Sequence, residues 1–151
     1  MAQGFTDPLD VRLLDAERRG RVVVKTLAPF TYHVGRKGSA DRITVPAGFE
    51  TDFASTPRWS WPLVPPLGRY ARAAALHDYL YETQTRPRAE ADRIFAEAMG
   101  VARVPAALRI GMWAAVRLFG GRAWRKESGG KPVGQADAPQ ESPQNQRRHT
   151  S

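Results

Sequence analysis

His77 and Asp78 stand side by side in the run Ala73-Ala74-Ala75-Leu76-His77-Asp78-Tyr79-Leu80-Tyr81, and a second aspartate follows in Ala91-Asp92-Arg93-Ile94-Phe95. A polar set of this kind in Ala- and Leu-rich surroundings needs a reason to be there, and acid–base chemistry is one. Residues four apart on a helix share a face, so His77 and Tyr81 point the same way. Asp78 is rotated by about 100° from His77 and looks toward a neighbouring loop. That geometry suits a histidine general base oriented by one carboxylate, with another left for a cation or a substrate.

The stretch that carries Asp92 is amphipathic. After Pro87, a favourable first-turn residue, Ala91, Ile94, Phe95, Ala98 and Met99 form one apolar stripe along Arg88 to Met99. Asp92 borders that stripe. The short Glu82–Arg86 connection predicts two antiparallel helices, which brings Asp92 within reach of the His77 ring. Two readings stay open. Either His77 and Asp92 are a catalytic dyad, or His77 is a satisfied core histidine and Asp92 caps a helix or pairs with an arginine. Asp52 divides the same way, between a turn-forming side chain bonded to nearby backbone and a further member of the cluster around His77.

The elements that must position these groups fall into two halves. Val11–Leu14, Arg21–Leu27, Phe30–Val34 and Arg42–Val45 read as strands, the second rich in β-branched residues. His33 falls in one of them and reads as a strand residue without a special role. From Phe49 to Pro66 the pattern is irregular but rich in aromatics, so a packed loop is expected. Helices are expected over Tyr70–Tyr81, Arg88–Met99 and Pro105–Phe119, the second stopped by Gly100 and the third by Gly120-Gly121. Leu108, Met112, Ala115, Val116 and Phe119 form the apolar face of the third. Beyond Ser128 the chain is Gly, Pro, Gln and Ser with Val133 as its one large apolar residue, too little to order itself.

Composition narrows the function classes. A length of 151 residues, 42% hydrophobic with four tryptophans, is enough for one folded core. With no cysteine there are neither disulfides nor thiolate metal sites. No apolar run approaches the ~20 residues of a membrane span, and Met1 to Asp7 has neither the basic nor the apolar region of a signal peptide, so cytosolic synthesis is expected. The formal charge of +8 is dispersed: six Lys/Arg against three Asp/Glu from Arg122 onward leave +3 there and +5 in the rest. This favours anionic surfaces such as phospholipid headgroups, nucleic acid or cell-wall polymers, although charge dispersed in this way more often serves solubility alone. No nucleic-acid-binding motif is present, and the aromatics do not alternate with basic residues as in a base-stacking platform. Metal phosphohydrolases built on His-Asp pairs are disfavoured, since they need further helical histidines and only His33 and His149 remain.

Several motifs together resemble a domain of unknown function found in tailed phages and prophages. They are Val45-Pro46-Ala47-Gly48-Phe49-Glu50-Thr51-Asp52-Phe53-Ala54-Ser55-Thr56-Pro57-Arg58, then Ala73 through Tyr81, Arg88 through Asp92, and Val116-Arg117-Leu118-Phe119-Gly120. The resemblance spans roughly residues 5 to 124. It implies a phage or prophage origin, synthesis in the host cytoplasm and entry into the virion as a further expectation, but no activity. A second pattern, Ala-Ala-x-x-His-Asp-x-x-Tyr followed by Ala-Asp-x-x-Phe, is similar to small calcium-dependent phospholipases of the A-two class. That resemblance implies His77 as general base, Asp92 as the carboxylate that orients it, Tyr81 as a supporting hydrogen bond and Asp78 as a ligand to Ca2+ or another divalent metal. The glycine-rich loop of those enzymes has as its counterpart Pro65-Pro66-Leu67-Gly68-Arg69-Tyr70, with one glycine. Asp52 then stands in for a loop ligand, giving an Asp52/His77/Asp78/Asp92 metal site.

The expected fold is α+β, a small antiparallel sheet from the N-terminal half packed on a three-helix C-terminal half. The domain is expected over residues 1–124, followed by a disordered polar tail over 125–151. The expected function is a phage-encoded hydrolase of phospholipase-like type that cleaves a lipid or envelope ester with water activated by His77. The rival is a non-catalytic virion or tail-associated protein, contacting other virion proteins, with the same residues as a buried polar network.

Overall fold

The computed structural model describes residues 4–18, 20–53 and 70–128. Strands β1 (Val11–Arg18), β2 (Arg21–Thr26), β3 (Phe30–His33), β4 (Arg42–Val45) and β5 (Glu50–Thr51) precede helices α1 (Ala71–Thr83), α2 (Arg88–Val101), α3 (Ala106–Phe119) and α4 (Gly121–Ser128). The architecture is α+β, as the patterning predicts. It has two small antiparallel sheets where one was expected, and a fourth helix beyond the expected three. One sheet runs β1-β2-β5 and the other β3-β4.

The β-branched run Val22-Val23-Val24 lies at the centre of the larger sheet, with Val23 and Val24 both buried. β1 is longer than its apolar core suggested. It stays paired to Arg18 through a register shift between Leu13 and Glu17, so hairpin pairing extends a strand that its own residues only begin. β5 was hidden in the expected loop. Its two residues pair with Val24 and Lys25, and Thr26 organises the turn before it. The Thr26 hydroxyl donates to the Pro46 carbonyl at 2.8 Å and accepts from Phe49 N at 2.9 Å. The rest of the expected loop, from Ala54 on, lies outside the described residues. In the smaller sheet Phe30 and Tyr32 face inward opposite Val45 and Ile43, the period-2 alternation of a half-buried strand.

The helical half is organised around α1. Its run of small side chains, Ala71 and Ala73 to Ala75, is buried together with Leu76, His77, Leu80 and Tyr81. Alanine brings backbones close without losing side-chain entropy, so α2 packs along this face through Ala91, Ile94, Phe95, Ala98 and Met99. α1 ends in a left-handed Gln84 (φ 49°), where glycine is the commoner choice. Gly100 was expected to stop α2 but lies within it. A Cβ there would stand 2.6 Å from Arg109 Nη1, so the glycine lets the α3 side chain cross the helix. At the C-terminal end, Arg125 to Ser128, assigned to the tail from sequence, belong to α4. The amphipathic Gly121–Ser128 segment orders because Trp124 rests edge-on against Tyr81, ring centroids 5.1 Å apart.

Glu97 fastens the smaller sheet to α2. One carboxylate oxygen accepts from the Tyr32 hydroxyl at 2.7 Å and from Gly35 N at 2.6 Å. Burial, reinforced by that bond, pushes the Tyr32 phenol far above its ordinary pKa and keeps it a donor. Glu97→Ala strands the fully buried Tyr32 hydroxyl and is expected to cost about 1–3 kcal/mol, read from chemical denaturation. Glu97→Gln, which keeps one acceptor oxygen, recovers part of that loss.

Candidate functional site

The site is built from α1 upward. Helical spacing puts His77 and Tyr81 one above the other with ring centroids 4.2 Å apart, and the Phe95 ring of α2 lies 4.6 Å from the imidazole on another side. Into this apolar frame α2 inserts Asp92. His77 Nε2 lies 2.9 Å from Asp92 Oδ1, the pairing that the short α1–α2 connection predicts. The Tyr81 hydroxyl donates to the same oxygen at 2.7 Å. His77 is 2% exposed and Asp92 0%.

Two arginines complete the set, giving Asp92 the arginine pairing that one of the two sequence readings expected without naming the residues. Arg117 Nη1 of α3 donates to Asp92 Oδ2 at 3.0 Å, and Arg88 Nε of α2 is paired with that oxygen at 3.8 Å. Arg88 also reaches the Tyr81 hydroxyl at 3.4 Å and donates to the carbonyls of Val116 and Arg117 at the end of α3. Arg88 stands four residues before Asp92, a helical ion-pair spacing that was readable. Arg117 had no local signal, because only the docking of α3 brings it to the carboxylate. Gly120 permits that docking. A Cβ there would stand 2.6 Å from the Tyr81 hydroxyl and 2.4 Å from the Val116 carbonyl.

The electrostatics follow from the donors. Desolvation pushes the Asp92 carboxyl upward, and hydrogen bonds from His77, Tyr81 and Arg117 outweigh it, leaving the group below its ordinary 3.8. An ionised carboxylate only accepts hydrogen bonds, so Nε2 carries the proton in the neutral ring and Nδ1 carries the lone pair. Burial, then the bond to Asp92, raises the Tyr81 phenol well above its usual range, so it remains a donor. Nδ1 is the one buried side-chain nitrogen or oxygen with no hydrogen-bond partner among the described residues. An unmatched buried acceptor costs about 1–3 kcal/mol and calls for a water or a reacting group. Chemically, the arrangement is a carboxylate-oriented imidazole with a basic lone pair on its far nitrogen.

Asp78 and Asp52 are placed differently. The Asp78 carboxylate accepts from the Thr51 hydroxyl, which in turn accepts from Phe53 N at 3.0 Å. Phe53 is buried with φ 50°, a left-handed backbone that costs a bulky residue energy, and Arg21 Nη1 donates to its carbonyl at 3.0 Å. Asp52 is half-buried and is not brought to His77 by any described hydrogen bond or ion pair. Among the described residues no three His, Asp or Glu side chains gather as a metal-binding group. Calcium takes six to eight oxygens. Among the described residues Asp78 accepts from Thr51, and Asp92 from His77, Tyr81 and Arg117.

A family model described as "Protein of unknown function (DUF1353)" matches residues 24–116. The chain belongs to the DUF1353 family. The span that defines this DUF1353 domain runs from β2 into α3, and holds Thr51, His77, Asp78, Tyr81, Arg88 and Asp92; Arg117 and Trp124 follow just beyond it. No curated protein and no solved structure matches the chain.

The lowered Asp92 carboxyl gives a signed expectation. A depressed folded-state pKa contributes stability that is fully present above the unfolded value, near 3.9, and is lost as pH falls through the folded value. Acid unfolding should therefore steepen below about pH 4. Asp92→Asn is expected to flatten that acid limb and to lower neutral-pH stability by about 3–5 kcal/mol, the usual cost of removing one member of a buried ion pair. Urea melts of both proteins across the acid range measure it.

Proposed function

We propose that this DUF1353 protein is a hydrolase in which His77 acts as general base on water, with Asp92 holding the imidazole and Tyr81 and Arg117 positioning Asp92. The observation that carries this reading is the division of labour on the ring. Nε2 is tied to a buried carboxylate, and Nδ1 is left with an unpaired lone pair. A water donating to Nδ1 passes its proton there as its oxygen attacks an acyl carbonyl. The tetrahedral intermediate then collapses, the ester C–O bond breaks, and the proton on Nδ1 goes to the leaving alkoxide. Asp92 stabilises the transient imidazolium without itself taking the proton. The similarity of the His-Asp-x-x-Tyr pattern to small phospholipases points to a lipid or envelope ester as substrate. The motif resemblance stated above likewise supports an origin in a phage or prophage. The calcium implied by that similarity, with Asp78 and Asp52 as ligands, would need oxygens beyond those described.

One observation favours a second reading. His77 and Asp92 are almost wholly covered, and two arginines neutralise the carboxylate, which suits a buried knot in a virion-associated protein.

Hydrolysis and unfolding measured on the same samples separate the two. Catalysis predicts release of fatty acid from anionic phospholipid vesicles by the unaltered protein. His77→Gln then lowers the rate by about 10² to 10⁴ with the fold retained. The knot predicts no hydrolysis by the unaltered protein, and a loss of about 1–3 kcal/mol in the variant from a stranded partner.

A further inference from the structure

Two arginines from different helices meet at Gly121, the first residue of α4, and one of them is firmly held. Arg88 Nη2 donates to Val116 O at 3.0 Å and to Arg117 O, while Nε lies 3.4 Å from the Tyr81 hydroxyl and 3.8 Å from Asp92 Oδ2. These contacts occupy Nε and Nη2. The remaining nitrogen, Nη1, lies against Gly121. A Cβ on that glycine would stand 3.2 Å from Arg88 Nη1 and 3.9 Å from Arg125 Nη1. Two guanidinium ends therefore converge on the bare side of one glycine, and solvent reaches them, since Arg88 and Gly121 are half-buried and Arg125 is exposed. Like charges brought together repel, and the neighbouring carboxylate does not compensate them. Arg88 and Arg117 share Asp92, while Arg125 has no carboxylate partner among the described residues. Three guanidinium charges thus stand against one buried carboxylate.

We propose that the bare side of Gly121 is a binding site for a phosphate group, held between Nη1 of Arg88 and the guanidinium of Arg125. Planar N–H forks suit phosphate oxygens, and a phosphate monoester carries about −1.5 to −2 charges at neutral pH. The uncompensated positive charge matches such a dianion better than a singly charged carboxylate. Arg88 offers a donor already fixed by its other contacts, so little side-chain freedom is lost on binding, and Arg125 closes from the other side. Glycine at 121 leaves the space between them, which a Cβ would crowd. The site goes beyond the His77 chemistry and is measured without turnover, so its failure leaves the general-base reading standing.

Isothermal titration of the full chain at constant ionic strength tests it, with inorganic phosphate, glycerol phosphate and acetate as titrants. Saturable binding of phosphate is expected, with acetate roughly tenfold weaker, and phosphate should raise the melting temperature by mass action. Glycerol phosphate binding above inorganic phosphate assigns the site to an esterified phosphate, and the reverse order to the free anion; both uphold it. Arg125→Gln should weaken binding about tenfold, the loss of a charge-assisted contact. Because Arg125 is exposed and lacks a described partner, melting without phosphate should stay unchanged. Arg125→Lys, which keeps the charge without the fork, recovers part of the loss. Gly121→Ala keeps every charge and should also weaken binding, with a melting temperature no lower than before, since alanine favours helix. Arg12→Gln removes an equal charge from an exposed position on β1 and should leave binding intact. Absence of saturable binding, acetate binding as well as phosphate, or phosphate binding that Arg125→Gln and Gly121→Ala both leave unaltered overturns the proposal. So does equal weakening by Arg12→Gln, which would reduce the effect to general attraction of anions by a chain of net charge +8.

Discussion

A single buried carboxylate holds three helices in register. Asp92 enters from α2, takes hydrogen bonds from His77 and Tyr81 of α1, and is paired with Arg117 of α3. Taking a carboxylate out of water costs several kcal/mol, and here the cost is offset by donors on both oxygens. Each donor lies on a different turn or helix, so the carboxylate is satisfied only when all of them arrive together. That requirement makes the network a condition on the packing of the helical half as well as a local feature of it.

Arg88 extends the same constraint to the end of α3. The last carbonyls of a helix have no partner within it, and a cation near them is favoured by the helix dipole. Arg88 supplies both at Arg117 O and is a second donor to Val116 O beside Gly120 N, while standing next to Asp92 and the Tyr81 hydroxyl. It therefore fixes where α3 ends relative to α1. That in turn sets Arg117 on the carboxylate and lets Trp124 of α4 close over Tyr81.

The sheets are joined to this helical frame by a few polar links of the same character. Thr51 donates to Asp78 on α1, and Tyr32 donates to Glu97 on α2. Because Asp78 adjoins His77 in sequence, the strain at Phe53 and the hydrogen bond through Thr51 bear on the helix turn that carries the imidazole. The sheet side of the molecule is thus tied to the turn of α1 that carries His77, while Asp92 sets the ring's tautomer. Among the described residues, Nδ1 is the buried side-chain nitrogen left without a hydrogen-bond partner.

Periodicity was enough to place β2, β3, β4 and the first three helices, because hydrophobic spacing is a local property that the folded core then uses unchanged. The His77–Asp92 pair was legible for the same reason: two amphipathic helices with a short connection can pack their apolar stripes in few ways. Elements with weak local signals were not. Glu50 and Thr51 become a strand because β2 offers an edge, and α4 is held by contacts to α1 and its cap, where Trp124 meets Tyr81 and Gln84 bonds Trp124 O and Ser128. That α2 runs on through Gly100, where the missing Cβ leaves room for Arg109, was likewise set by packing and not by the local pattern. Within the site, sequence determined which residues had the chemistry and which shared a helix face. Tertiary structure alone decided that Arg117 would neutralise Asp92, that Thr51 would engage Asp78, and that Nδ1 would find no hydrogen-bond partner among the described residues. Those outcomes depend on distances between segments far apart in the chain, which no local pattern encodes.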